Sequence, residues 1–163
     1  MSMSGNSHSA ALQPSEGHSL NIWGVTFTFK VRGKDTSGAY AMFELTVPPG
    51  DRVLAVHRHD HTDESFYVLE GVLKLEIDGE EMTLNPGGFV MIPMGTVHSH
   101  GNGGNGPLRL LTIISPTGPS EGFFEEMAKL SASMPPGRPP ADRMHELHEL
   151  GERYDTVYIN PLQ

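Results

Sequence analysis

Apolar and polar residues alternate along much of this chain. Val25, Phe27, Phe29 and Val31 are separated by Thr26, Thr28 and Lys30. Side chains two apart share one face of a strand, so this period predicts a half-buried β-strand. The alternation returns at Ala39, Ala41, Phe43, Leu45 and Val47, after a turn at Lys34–Gly38 and before Pro48-Pro49-Gly50. Further strands are predicted over 53–59, Ser65–Leu69, Val72–Asp78, Glu81–Leu84, Phe89–Ile92, Val97–His100 and Leu108–Ile114. Asp78-Gly79 marks a hairpin. Short strands at regular turn spacing predict an all-β sandwich or barrel.

After Ser115-Pro116 the period lengthens. Ser120 is placed to cap a helix through about Leu130, and Met134–Pro140 reads as a rigid linker. A second helix is expected from Asp142 to Leu150 with Gly151 after its end, then a short edge strand at Val157–Ile159. Residues 1–18 are small and polar without period, as in a flexible arm. The expected organisation is an arm over 1–18, one β-barrel over 19–116 and a helical extension over 117–163.

Composition narrows the chemistry. The 163 residues suit one domain and include no cysteine, which excludes disulfides and thiolate metal sites. Eleven basic residues stand against 20 acidic ones, a net charge of −9. That balance repels phosphate backbones and anionic lipid, so neither nucleic acid nor membrane is an expected partner. No apolar run approaches the roughly 20 residues of a membrane span. The N-terminus lacks a basic stretch followed by an apolar one, so no secretory signal is read and a cytoplasmic location is expected.

Nine histidines remain to be placed. His57 and His59 lie two apart in a strand-like run, so both imidazoles point to one face. A turn over Asp60–Asp63 would let Glu64 open the next strand beside them. Pro93-Met94-Gly95-Thr96 reads as a tight turn that brings His98 onto a further strand. His100, two positions on, has the parity to face the same cavity. Phe43, Phe66, Val68, Leu75 and Met91 are the candidate apolar lining. His61 reads as a turn residue facing solvent, Asp60 and Asp63 as turn-fixing, and His145 and His148 as a solvated helix face. The run Gly101–Gly106 reads as a hairpin connection.

Gly87, Pro93, Gly95, His98 and Asn102 reproduce the pattern G-x5-P-x-G-x2-H-x3-N, and His57, His59, Glu64 and Gly71 reproduce most of G-x5-H-x-H-x3–4-E-x6-G. The two segments resemble the paired signature motifs of the cupin superfamily. Gly50 departs, lying one residue too far before His57. The resemblance covers about residues 20–115 and implies a double-stranded β-helix, or jelly roll. It also implies one divalent transition-metal ion (Fe, Mn, Ni, Co, Cu or Zn) on His57, His59, Glu64 and His98. Three imidazoles and a carboxylate suit such ions and leave positions open for substrate.

Asp63–Gly71 and Gly122–Glu126 are similar to the quercetin 2,3-dioxygenase-like bacterial cupins. That similarity implies a dioxygenase acting on a small enolisable or phenolic substrate with dioxygen, with Glu64 as catalytic base. A non-oxidative isomerase, lyase or cyclase is the alternative, and a non-catalytic small-molecule-binding module a further one. A homodimer is expected, because small jelly rolls cover their sheet edges by pairing.

Overall fold

A computed structural model describes residues 11–50, 55–136 and 139–159. The expectations on 1–10, 53–54 and 137–138 lie outside the described residues. Two antiparallel sheets carry the structure. The first is six-stranded and holds β1 (His18–Ile22), β2 (Val25–Val31), β3 (Ala41–Val47), β5 (Asp63–Glu70), β8 (Phe89–Ile92) and β10 (Leu108–Ser115), in the order β1-β2-β3-β10-β5-β8. The second holds β4 (His57–Arg58), β6 (Leu73–Ile77), β7 (Glu80–Leu84), β9 (His98–Asn102) and β11 (Val157–Tyr158), in the order β11-β4-β9-β6-β7. This is the all-β architecture expected from the alternating pattern, in the form of the double-stranded β-helix that the resemblance implies.

Register follows burial. On the central strand β10, Leu108, Leu110, Thr112 and Ile114 are buried while the residues between them are not. Leu110 lies across from Leu45 on β3 and Val68 on β5. A slip of one residue would turn all four outward, so the apolar pattern itself fixes the pairing. Phe43, Leu45, Phe66, Val68, Leu73 and Leu75 fill the space between the sheets. Each such side chain contributes roughly 1.5–3 kcal/mol by leaving water.

Backbone conformation explains two of the glycine signals. Asp78 and Gly79 both have positive φ, 49° and 86°, as a tight two-residue hairpin requires. Gly71 has φ 82°, and a Cβ there would lie 2.5 Å from the Pro107 carbonyl oxygen. Asn102 clamps the glycine-rich hairpin that follows β9. Its amide nitrogen donates to the Val47 and Gly106 carbonyls at 3.1 and 2.8 Å, and its oxygen accepts the Gly104 N–H at 2.8 Å.

Two helices follow the sheets: α1 (Glu121–Ala132) and α2 (Met144–Arg153). Phe124 of α1 seats among Phe27, Phe29 and Phe43, with ring centroids 5.2–5.5 Å away. Such aromatic pairs add about 0.5–1.5 kcal/mol each beyond burial. An ion pair of Arg32 with Glu125 and a hydrogen bond from the Trp23 N–H to Ser131 Oγ (2.8 Å) fasten the same helix. The α2 end is joined to α1 through Glu126, which accepts from Tyr154 Oη and Arg153, both at 2.8 Å.

Three local expectations change. Ser120 stands before α1 but makes no side-chain cap, because its hydroxyl turns back to the Thr117 carbonyl. Gly151 lies inside α2 rather than after it. A Cβ at this position would meet the Thr156 carbonyl oxygen at 2.5 Å and the Tyr158 ring at 2.7 Å, so its glycine serves close packing against the returning chain. His148 is half-buried rather than solvated, its ring stacked on Tyr158 at 5.1 Å. None of the helices among the described residues is long and apolar enough to cross a membrane.

Candidate metal centre

His57 on β4 lies directly across from His98 on β9, so both imidazoles enter the barrel from the second sheet. His59 follows β4 by one residue and, by the strand period, points the same way. Glu64 comes from the opposite sheet, on β5, paired with Ile114 on β10 and Ile92 on β8. The turn between is pinned at both ends. The Gly95 N–H donates to the His59 carbonyl at 2.6 Å, and Asp63 Oδ1 accepts the Met94 N–H at 2.8 Å. One sheet therefore supplies three imidazoles and the other supplies the carboxylate.

Each of the three rings is oriented by a backbone carbonyl. Nδ1 of His57, His59 and His98 lies 2.7, 2.9 and 3.0 Å from the carbonyl oxygens of Ala55, Asp155 and Thr96. A carbonyl only accepts, so each Nδ1 carries a proton, and Nε2 is the lone-pair donor of the ring whenever that ring is neutral. His57 Nε2 is buried with no hydrogen-bond partner. His98 Nε2 lies 3.2 Å and His59 Nε2 3.8 Å from Glu64 Oε2. One ligand atom from each of the four residues falls within 4.8 Å of all the others. An orphaned buried imidazole nitrogen, fixed tautomers and a hard–borderline donor set all fit a divalent transition-metal ion.

The electrostatics agree with this reading. Burial, with the neighbouring His98 and His59, pushes His57 well below the ordinary imidazole range, so the ring is neutral and free to donate. Burial opposes ionisation of Glu64, but the hydrogen bond with His98 and the surrounding imidazoles hold its pKa down at about 2. Burial also opposes a charge on His98, and the bond to Glu64 outweighs it and raises that pKa. Without an ion, Glu64 and His98 thus lean on each other for charge. Burial lowers His100 to about 4, so its ring is neutral at pH 7.

A sequence position ninety-odd residues away completes the cluster. Asp155 has a left-handed backbone, φ 65°, just after α2. Its carboxylate accepts the N–H groups of Asp60 and His61 at 3.0–3.1 Å while its carbonyl holds His59. Strand β11 then pairs with β4, Tyr158 opposite His57. The expected edge strand at the C-terminus is therefore part of the site, and sequence spacing carried no signal for Asp155.

A cavity of about 30 Å³ adjoins Glu64 and His59. Phe27, Phe43, Phe123 and Phe124 give it an aromatic wall, and His100, Thr62, Ser120 and Thr156 its remaining polar lining. Of the sequence candidates, Phe43 and His100 line it. Phe66, Val68 and Leu75 are fully buried but sit in the surrounding core, with Phe66 backing the His100 ring at 4.5 Å. Met91 does not belong to the lining. It is 51% exposed, because Ile92 is the β8 residue paired with inward-facing Glu64, and the period of two turns Met91 outward beside Ser65.

The fold and the buried three-histidine, one-glutamate cluster together define a double-stranded β-helix with a candidate metal centre. Residues 43–114 match the cupin domain family model. It is 42% identical over 67 residues to the quercetin 2,3-dioxygenase of Bacillus subtilis, covering 41% of this chain and 20% of that protein. It is 36% identical over 84 residues to the tetracenomycin polyketide synthase protein TcmJ of Streptomyces glaucescens, covering 52% and 54%. The chain thus spans between a fifth and about half of the length of these relatives. A solved structure titled a predicted oxalate decarboxylase, from Thermotoga maritima, superposes with a TM-score of 0.59 at 23% identity, covering 66% of this chain and 99% of that one.

Proposed function

We propose that this chain is an enzyme in which His57, His59, Glu64 and His98 hold one divalent transition-metal ion, and that it dioxygenates a small enolisable or phenolic substrate. The observation that carries the reading is the set of three carbonyl-locked imidazoles, Nε2 inward, facing one carboxylate beside an aromatic cavity. A divalent ion bound there supplies Lewis acidity to an enol or phenol oxygen.

The chain's own groups have distinct tasks. Glu64 takes the hydroxyl proton, from β5 opposite the three imidazoles. Phe27, Phe43 and Phe124 offer flat apolar surface to an unsaturated ring and exclude water. The cavity of about 30 Å³ has room for little more than a water molecule. A ring-sized substrate therefore requires this cavity to widen. Similarity to the Bacillus subtilis quercetin 2,3-dioxygenase supports oxidative chemistry. The test is oxygen uptake by metal-loaded protein with flavonols and other enolisable aromatics. Uptake with at least one metal is expected, and no uptake with any metal overturns the dioxygenase reading.

Similarity to a polyketide synthase protein favours a second reading, a non-oxidative isomerase, lyase or cyclase on the same cluster. Turnover that persists without oxygen supports it. We further propose a homodimer. Tyr67, Phe89 and Met91 form an exposed apolar stripe on the outer face of β5 and β8, and β8 ends its sheet. An uncharged stripe at a sheet edge is where two chains of net charge −9 approach with least repulsion.

A further inference from the structure

The run Gly122–Glu126 builds one wall of the cavity beside the cluster. A Cβ at Gly122 would lie 3.0 Å from the Tyr154 ring, so glycine lets α1 start close against the residue that follows α2. Glu125 and Glu126 tie the same turn to Arg32 on one side and to Arg153 and Tyr154 on the other. Between these fixings two phenylalanines enter the cavity wall. Phe123 lies against Tyr154, with ring centroids 6.0 Å apart. Phe124 faces the barrel instead, its ring 5.2–5.5 Å from Phe27, Phe29 and Phe43. The barrel walls are the less free to give. Phe27, Phe43 and Ile114 stand on β2, β3 and β10, each paired with a strand on both sides, so moving one breaks two ladders. Phe124 sits on a helix, fastened to the barrel by side chains such as Glu125 and Ser131. It is 9% exposed, against 4% or less for the other apolar residues of the lining.

We propose that Phe124 is the specificity-determining residue of this site: its ring fills the space a larger ligand needs, and so limits what reaches the cluster to molecules of a few atoms. The inference rests on the metal-centre reading above and adds a size limit, with the residue that sets it. The cavity of about 30 Å³ matches a water molecule, whereas an apolar cavity of roughly 150 Å³ takes a benzene ring. Truncating Phe124 joins the volume of its side chain to a space already bounded by Glu64 and His59. Phe27 and Phe43 stay as aromatic walls of the enlarged space. A small ion needs no such room, because the His59 side chain is 15% exposed and leaves the cluster open to solvent on that side.

The test reads ligand size at one metal centre. Azide and phenol are titrated into cobalt(II)-loaded wild type, Phe124→Leu and Phe124→Ala, and the visible bands of the ion report binding without turnover. Phenol affinity is expected to rise about tenfold or more in Phe124→Ala and severalfold in Phe124→Leu, as added room in an apolar pocket gives. Azide affinity and cobalt stoichiometry are expected to be equal in all three. Benzene, which has no group for the metal, is expected to raise the melting temperature of metal-free Phe124→Ala and not that of the wild type. Phenol affinity equal in the three proteins overturns the size limit. So does a parallel rise of azide and phenol, which marks a general loosening of the site. If Phe124→Ala does not fold, the phenol-to-azide ratio of Phe124→Leu decides on the same criterion. A wild type that takes up no cobalt overturns the metal-centre reading. The benzene shift then decides the size limit by itself: its presence supports the limit and its absence overturns it.

Discussion

His57 shows how one residue becomes a donor: the Ala55 carbonyl occupies Nδ1, and burial without a partner leaves Nε2 aimed at its neighbours. His57→Ala or His98→Ala is expected to lower metal affinity at least 100-fold by chelator competition, with the far-ultraviolet circular dichroism unchanged. Asp155→Ala removes the acceptor of two backbone N–H groups and loosens the carbonyl that orients His59. A 10- to 100-fold loss of metal affinity is expected, the usual cost of removing an outer support. Protons oppose folding at the same residues. His57 and His100 are imidazoles with lowered pKa, so the unfolded chain binds their protons first as pH falls below about 6.5. The His100 contribution is lost between there and about 4, and His57 loses its own as the pH falls below the ordinary imidazole range. His98, raised, contributes below 6.5 and loses that contribution as pH rises through its folded value. Glu64 contributes above 4.5 and loses it toward about 2. Two residues against one predict that the melting temperature of metal-free protein falls from pH 7 to pH 4. The four clustered residues were legible in the sequence because the spacing within each of the two motifs is local. Asp155 was not, being 96 residues from His59, and Met91 was misplaced because strand parity is settled by the Glu64–Ile92 pairing.

At the scale of elements, the C-terminal segment closes the site that the barrel begins. Gly151 lets α2 touch the chain that becomes β11, which in turn pairs with β4 beside His57. On helix propensity alone, Gly151→Ala would stabilise by about 1 kcal/mol. With its Cβ 2.5 Å from the Thr156 carbonyl, it is expected instead to destabilise by about 1–3 kcal/mol in denaturant unfolding. The substitution should also weaken metal binding. Phe124→Ala removes the ring that three barrel phenylalanines surround, and a loss of about 3–5 kcal/mol is expected in the same measurement. The alternating period made the inner strands visible, β8 to the residue. β1 was less visible, since His18–Ile22 contributes one fully buried side chain and leaves no clear alternation. What α1 covers was also beyond the sequence, because its contacts to β2 and β3 are long-range.

For the whole molecule, an exposed apolar stripe sits on an acidic chain. Tyr67, Phe89 and Met91 lie outside, Phe89 59% exposed, on a chain of net charge −9. Phe89→Glu places a charge in that stripe and is expected to convert a dimer to a monomer by analytical ultracentrifugation. A wild type that sediments as a monomer at high micromolar concentration contradicts the pairing. Everything functional, however, depends on the meeting of three imidazoles from one sheet with one carboxylate from the other. The most direct measurement is elemental analysis of wild-type protein and its His98→Ala variant after equilibration with a divalent transition metal and desalting. About one ion per chain in the wild type and almost none in the variant is the predicted result. Equal metal content in the two, or none in the wild type, contradicts it.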